Sequence, residues 1–300
     1  MIDLGWRPVM HRQIHAQCTL ELDIRAVSPL LLQGQQEEQG PASFYRAIDP
    51  QDKRKKYCIP ATSLKGVWRS AAERILRTMD DSLVCDPFNQ DTDATQSCSK
   101  RFENSSPENV RHGLCPACRL FGSTAQVGVL QLQDSWISPK AKVENRTGIA
   151  IDRFTGGVKQ HALYTIAPLA PGTSFRVRAD IVNVDLWHLG LLALVHREMN
   201  EGRVRVGSGT HNGLGHVAVT WKLVRFRFPA GVRNTDSLPA WLLENARTAE
   251  TEGWRSNPWV SYEVMEDRLD KLKRACVEEL VGKLGKGRQG FAPITQEGLD

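Results

Sequence analysis

Four cysteines limit what this chain can fold into more than any other feature. Cys85, Cys98, Cys115 and Cys118 read C-x12-C-x16-C-x2-C, enough thiols to close a tetrahedral zinc shell. The stretch they bracket is polar and irregular, with no apolar periodicity of its own. Such a segment cannot bury enough surface to offset its ordering entropy, and a metal staple would. Cys115-Pro-Ala-Cys118 sets two thiols three residues apart on a tight turn, which is half of a zinc site. Four thiolates leave no open coordination position, so the zinc is expected to be structural. His112, three residues before Cys115, is an alternative ligand in place of one cysteine. A redox pair is the competing reading, but nothing nearby reads as strand, C-x-x-C, helix. Cys18, Cys58 and Cys276 stand alone and read as buried thiols.

The longest apolar runs, such as Leu189 to Val195, are far too short for a bilayer span. Met1 to Arg12 lacks the apolar core of a signal peptide. Both point to a cytoplasmic protein with no membrane partner, where C-x-x-C holds metal more often than it forms a disulfide. The net charge of +5 is mild, but its distribution is not. Gln51 to Arg77 holds eight Lys/Arg against Asp52 and Glu73, a local +6. Ser138 to Asp180 holds seven basic residues against three acids, a local +4. Concentrated charge of this kind suits a polyanion, though a solvated face would look the same.

Periodicity gives an order of elements. Thr19 to Val27 alternates as a half-buried strand, and Gln33 to Lys56 reads as a long loop. Ser63 to Met79 carries apolar residues at helical steps, with Thr62 or Ser63 as the cap. Val127 to Gln133 is a short strand, and Ser138 to Pro171 a hairpin-like excursion. Thr173 to Val182 is a strand, Asp185 to Asn200 a helix, and His216 to Phe228 a strand. Strand, helix, strand, strand, helix, strand is the split βαβ arrangement. The fold class is therefore α+β, a ferredoxin-like unit with large insertions. Asn234 to Asn257 reads as irregular, Met265 to Leu284 as a helix, and the last sixteen residues as frayed.

Two further stretches suit anions. Gly207-Ser-Gly-Thr-His-Asn-Gly-Leu-Gly215 lies between a helix and a strand, and its glycines can bring backbone N–H groups close to a phosphate. It is neither a dinucleotide fingerprint nor a P-loop. Ile59-Pro-Ala-Thr-Ser-Leu-Lys-Gly66 opens a helix, where free N–H groups favour an anion and Lys65 and Arg69 add charge.

Taken in this order, the pieces resemble the RAMP superfamily. Ile59 to Gly66 is similar to its helix-opening motif, and Cys115-Pro-Ala-Cys-Arg-Leu-Phe-Gly122 to its zinc-associated segment. Arg146-Thr-Gly-Ile-Ala-Ile-Asp-Arg-Phe-Thr-Gly-Gly157 is similar to its thumb motif, and Gly207 to Gly215 to its glycine loop. The closest resemblance is to the backbone (palm–thumb) subunits of type III CRISPR effector complexes, over roughly residues 16–228. It implies an RRM-like palm at 1–228, a zinc-stapled finger at about 80–122, a β-hairpin thumb at about 138–172, and a C-terminal extension with one helix at 229–300. The implied partners are a CRISPR guide RNA, a complementary target RNA and neighbouring effector subunits. Lys65 and Arg69 would meet guide phosphates, and Gly207, Gly209, His211, Gly213 and Gly215 would cradle the backbone. Ile151, Arg153 and Phe154 would act at the thumb, with Ile151 and Phe154 wedging the guide–target duplex.

Target cleavage in that family uses an aspartate after the first strand and a divalent ion such as magnesium. Here the family's Gly-Gly-x-Asp is not intact: the loop reads Leu32-Gln-Gly-Gln-Gln-Glu37-Glu-Gln-Gly40. Glu37 falls nearest the aspartate's place, and Asp49 and Asp52 follow, so Glu37 and Asp49 are the candidate catalytic pair. Two rivals stand beside this reading. One is a metal-independent, guide-processing endoribonuclease using His211, His15 or His11. The other is a non-catalytic zinc-containing RNA-binding protein.

Overall fold

The computed structural model describes residues 14–33, 42–93, 95–106, 109–110, 113–138, 140–229, 247–249 and 259–291. Strand β1 (Gln17–Ala26) is the centre of the main sheet. Its alternation explains why: Cys18, Leu20, Leu22, Ile24 and Ala26 are buried, while Glu21, Asp23 and Arg25 point the other way. On one side it pairs antiparallel with β9 (Ser174–Val182), which pairs in turn with β5 (Leu130–Leu132). On the other it pairs antiparallel with β10 (Val217–Pro229). The four strands expected from the sequence thus lie in the order fourth, first, third, second.

Beyond β10 the sheet continues through β12 (Trp259–Met265) and β11 (Arg247–Ala249). No strand was expected in either stretch, because each takes its register from pairing rather than from its own pattern. The Asn234 to Asn257 stretch otherwise lies outside the described residues.

Helix α1 (Ala61–Met79) and the later helices α4 (Leu186–Asn200) and α5 (Arg268–Leu284) pack over the buried face of the sheet. Trp68 of α1 meets His196 of α4 edge-on, with ring centroids 4.6 Å apart, and His196 Nδ1 accepts from Trp221 Nε1 of β10 at 2.9 Å. α4 is buried nearly all round, because α5 takes a second side of it through Leu269, Leu272, Cys276 and Leu280. A Cβ at Gly190 would run into the Cys276 carbonyl, so the two helices meet backbone to backbone there. The sheet's other face carries ion pairs: Arg176 and Lys222 with Asp23, Arg178 with Asp180, and Arg225 with Glu263.

Three expectations need correction. Gln33 to Lys56 is not one loop: it holds β2 (Ala42–Ser43), β3 (Arg46–Ile48) and part of β4 (Lys55–Ile59). These strands are too short to show a period of two. β2 is recruited by β8 (Val158–Ala167), and β4 by β6 (Ser135–Trp136). Second, α1 starts at Ala61 without a Thr62 or Ser63 cap; the Ala61 N–H donates to Asp134 Oδ1 at 2.7 Å, a cap supplied from 73 residues away. Third, the tail is not all frayed. Gly287–Phe291 forms a 3-10 turn, and buried Phe291 packs on Trp187. Residues 292–300 lie outside the described residues.

Candidate metal centre and nucleic-acid interface

The four cysteines converge. Their sulfur atoms all lie within 4.8 Å of one another, and all four residues are buried. Cys85 Sγ is 3.6 Å from Cys118 Sγ and 3.7 Å from Cys115 Sγ. A tetrahedron with Zn–S bonds of about 2.3 Å has edges of about 3.8 Å, so this spacing fits zinc. Local structure prepares the site. Cys115 heads helix α3 (Pro116–Phe121), and its sulfur accepts from the Cys118 N–H at 3.4 Å. Helix α2 (Cys98–Arg101) brings Cys98, whose sulfur accepts from the Cys115 N–H at 3.4 Å. The hydrogen bond from Cys118 is the largest influence holding the Cys115 thiol well down, and Cys115 is the largest influence pushing Cys118 up. Thiols so placed share protons, and a dication among them would release those protons.

Arg69 and Lys65 lie beside this centre. Arg69 donates to Glu73 at 2.8 Å and to Gly122 O at 2.8 Å, and its Nη2 lies 3.6 Å from Cys118 Sγ. A guanidinium there offsets part of the charge of a four-thiolate site. Lys65 Nζ donates to Leu130 O at 2.8 Å. Burial, then Arg69, pull the Lys65 pKa down. Both head groups, expected at guide phosphates, are thus engaged with the protein's own backbone and acids. Buried Arg119, in the same short helix as Cys118, ties the centre to the tail by donating to Leu114 O and to Phe291 O.

A second assembly gathers around residues 29–33. Leu30 bridges to Leu169, and Ser208 N–H donates to Leu31 O at 2.7 Å. Gly215 N–H donates to Pro29 O at 2.9 Å, and Tyr45 N–H to Leu32 O at 2.7 Å. The base of the 138–172 excursion, the glycine loop and β3 are therefore rooted in one segment. Gly207, Gly209, Gly213 and Gly215 all have positive φ. A Cβ on Gly207 would strike Leu31 O, and one on Gly215 would strike Val206 O, so both glycines are sterically required. His211 is exposed in this loop.

The excursion is a hairpin of β7 (Arg146–Ile151) and β8. Ile149 pairs with Leu163 and Ile151 with Val158, and all four are exposed apolar residues. Phe154 at the tip is 100% exposed and Arg153 beside it is exposed. Asp152 closes the tip: its carboxylate accepts from the Phe154 and Thr155 N–H groups at 2.9 Å each. These bonds, Thr155's first, hold its pKa down. The apolar side chains therefore stand on a stapled turn rather than a loose loop.

The candidate catalytic residues are not seen together. Glu37 lies outside the described residues, as do His11 and His112. Asp49 closes the β3–β4 turn: its side chain is 5% exposed and accepts from Lys56 Nζ at 2.7 Å and the Gln51 N–H at 2.9 Å. The hydrogen bond from Lys56 is the largest reason its pKa is lowered. His15 is partly buried, and its backbone N–H donates to Asn183 Oδ1 at 2.9 Å. The basic stretch Gln51 to Arg77 already included Lys53, Arg54 and Lys55, but its pattern did not show that they share one turn between β3 and β4.

A family model described as the RAMP superfamily matches residues 23–218, about two thirds of the chain. No curated protein matches it. Among the described residues no helix is long and apolar enough to cross a membrane.

Proposed function

The chain belongs to the RAMP superfamily, which carries a CRISPR-associated RNA-binding role, and from that premise we propose a guide-RNA-binding backbone subunit of a type III CRISPR ribonucleoprotein. The observation that carries this reading is the stapled hairpin of β7 and β8. It holds Phe154 and Ile151 in water on a turn rooted beside the glycine loop. Exposed apolar side chains on a rigid turn suit wedging between bases, which is worth about 1–3 kcal/mol per stacked base. The strand order fourth, first, third, second is that of a ferredoxin-like palm. No aromatic stands on the outward face of β1 or β9, so the RNA would run along loops and thumb rather than over the sheet, as it does in RRMs. Zinc would be structural, closed by the four cysteines, and neighbouring subunits and a target RNA would be the other partners.

We read the chain as binding rather than cutting. Asp49 would have to leave Lys56 before it could hold a hard cation such as magnesium. If the wild type cuts guide-paired target RNA in Mg²⁺ and the cutting stops in EDTA, that part of the reading fails.

The decisive test is the RNA that copurifies at low salt. Discrete guides bearing a repeat-derived tag are expected; a preparation free of RNA would sink the proposal. Phe154→Ala is expected to weaken binding of guide–target duplex about 5- to 150-fold while leaving single-stranded guide binding within about twofold. Equal affinity of both proteins for the duplex would remove the wedge.

A further inference from the structure

The β3–β4 hairpin is a second exposed projection, and its charge is unusually free. Arg46, Lys53, Arg54 and Lys55 are all exposed. The two acids of the hairpin, Asp49 and Asp52, both pair with Lys56, at 2.7 and 2.5 Å. Lys53, Arg54 and Lys55 have no ion-pair partner among the described residues. Five cations against two acids leave the hairpin a net +3, with Lys53, Arg54 and Lys55 side by side at its tip.

The tip is built rather than loose. Asp49 N–H donates to Arg54 O at 2.9 Å, and Lys53 N–H donates to Asp49 O at 2.8 Å. The Asp49 carboxylate closes the turn through the Gln51 N–H and Lys56. Arg46 lies over the Tyr57 ring at 4.3 Å, which fixes the hairpin's stem. Lys53 sits at φ 61, a left-handed conformation that glycine adopts at no steric cost and a lysine does not. A strained, ordered and unpaired lysine heading a run of unpaired cations, Lys53-Arg54-Lys55, is poorly explained as a solvated surface. The hairpin also springs from Tyr45, whose N–H donates to Leu32 O. Its root is therefore the segment that anchors the glycine loop and the base of the β7–β8 hairpin.

The geometry points to Lys53, Arg54 and Lys55 as a phosphate-binding tip that grips the RNA sugar–phosphate backbone, with Asp49 as the residue that positions it. This rests on the RNA-binding reading above. The phosphates belong to the guide strand or to the target strand, and the two give different results below.

The test compares the wild type with Lys53→Gly/Arg54→Gln/Lys55→Gln, which removes three charges and relieves the left-handed residue, so folding should not suffer. Each protein is titrated with labelled single-stranded guide RNA and with guide–target duplex, from 0.1 to 1 M salt. Three lost phosphate contacts should flatten the single-strand salt slope by about 2 and weaken binding on the order of a hundredfold at 0.1 M, converging at high salt. Loss in both arms assigns the tip to the guide, and loss in the duplex arm alone assigns it to the target. Unchanged slope and affinity in both arms overturn the proposal while leaving RNA binding intact. A wild type that binds neither RNA overturns the RNA-binding reading itself. Asp49→Ala, which keeps all three cations but opens their turn, should fall between the two proteins; wild-type binding by it would refute the positioning role.

Discussion

Cys115→Ser is expected to lose its metal and to lower the thermal midpoint by about 10 °C or more. The Cys115 sulfur is 3.7 Å from that of Cys85, heads the short helix Pro116–Phe121, and accepts the Cys118 N–H. A serine hydroxyl at neutral pH is neither a soft ligand nor an anion, so the tetrahedron would drop to three sulfurs. Structural zinc contributes about 10–16 kcal/mol in zinc-finger peptides. Even a third of that, about 4 kcal/mol, moves a midpoint by roughly 8–16 °C in a domain of this size class. The damage should spread, because Arg69 links the centre to α1 and Arg119 links it to Phe291. The measurements are zinc per chain by elemental analysis, the melting curve, and proteolysis within residues 80–122. Cys58→Ser is the control, a buried thiol outside the cluster that should keep its metal. One zinc per chain retained in Cys115→Ser would refute a four-cysteine site. RNA binding should fail only as far as the fold does.

Acidification should destabilise the protein by about 4 kcal/mol between neutral pH and pH 5, through two histidines alone. His188 and His196 are pushed down from 6.5 to about 3, first by burial and then by Arg119 and Lys283 for His188 and by Lys273 for His196. Both act as neutral acceptors: His188 Nδ1 takes the Asp185 N–H, and His196 Nδ1 takes the Trp221 indole N–H. Protonating either Nδ1 breaks its bond and buries a charge. In the unfolded chain both titrate near 6.5, so acid favours unfolding, and stability present above that value is lost as pH falls towards 3. At pH 5 the unfolded chain gains about 1.5 pH units of proton binding per histidine, roughly 2 kcal/mol each. Thiolates also protonate in acid, so the comparison that isolates the histidine is with His196→Gln, whose amide oxygen can still accept from Trp221. Denaturant titrations at pH 7.5 and 5 should show about half the pH loss in that variant. An unchanged loss would mean that His196 is not neutral in the folded protein.

Most of the main sheet and its helices was legible because these elements are long and one-sided. β1 and β9 alternate over nine or ten residues, and α5 puts Leu269, Leu272, Cys276 and Leu280 on one stripe. The cysteine cluster was legible for a different reason. Four thiols in a coreless stretch have few other uses, and C-x-x-C sets its own local geometry. The β7–β8 hairpin was legible from its glycines and from apolar residues spaced along a basic stretch.

What stayed hidden was whatever a distant partner decides. A two-residue strand such as Ala42–Ser43 has no period, and only β8 makes it a strand. The cap of α1 comes from Asp134, and no local pattern shows a carboxylate 73 residues away. Arg69 reads in sequence as a free cation for phosphate, but folding places Glu73, Gly122 O and Cys118 around it. Asp49 likewise reads as a free carboxylate, but Lys56 folds onto it. The sequence alone determined the order of the long strands and helices, the four thiols that cluster and the basic character of the surface, because periodicity, thiol chemistry and charge are carried by residue types at fixed spacing. Only the tertiary structure decided which of those charges are neutralised inside the fold and which, at Lys53, Arg54 and Lys55, are left facing water. Pairing depends on distances of a few ångströms between residues that the chain's own spacing does not bring together.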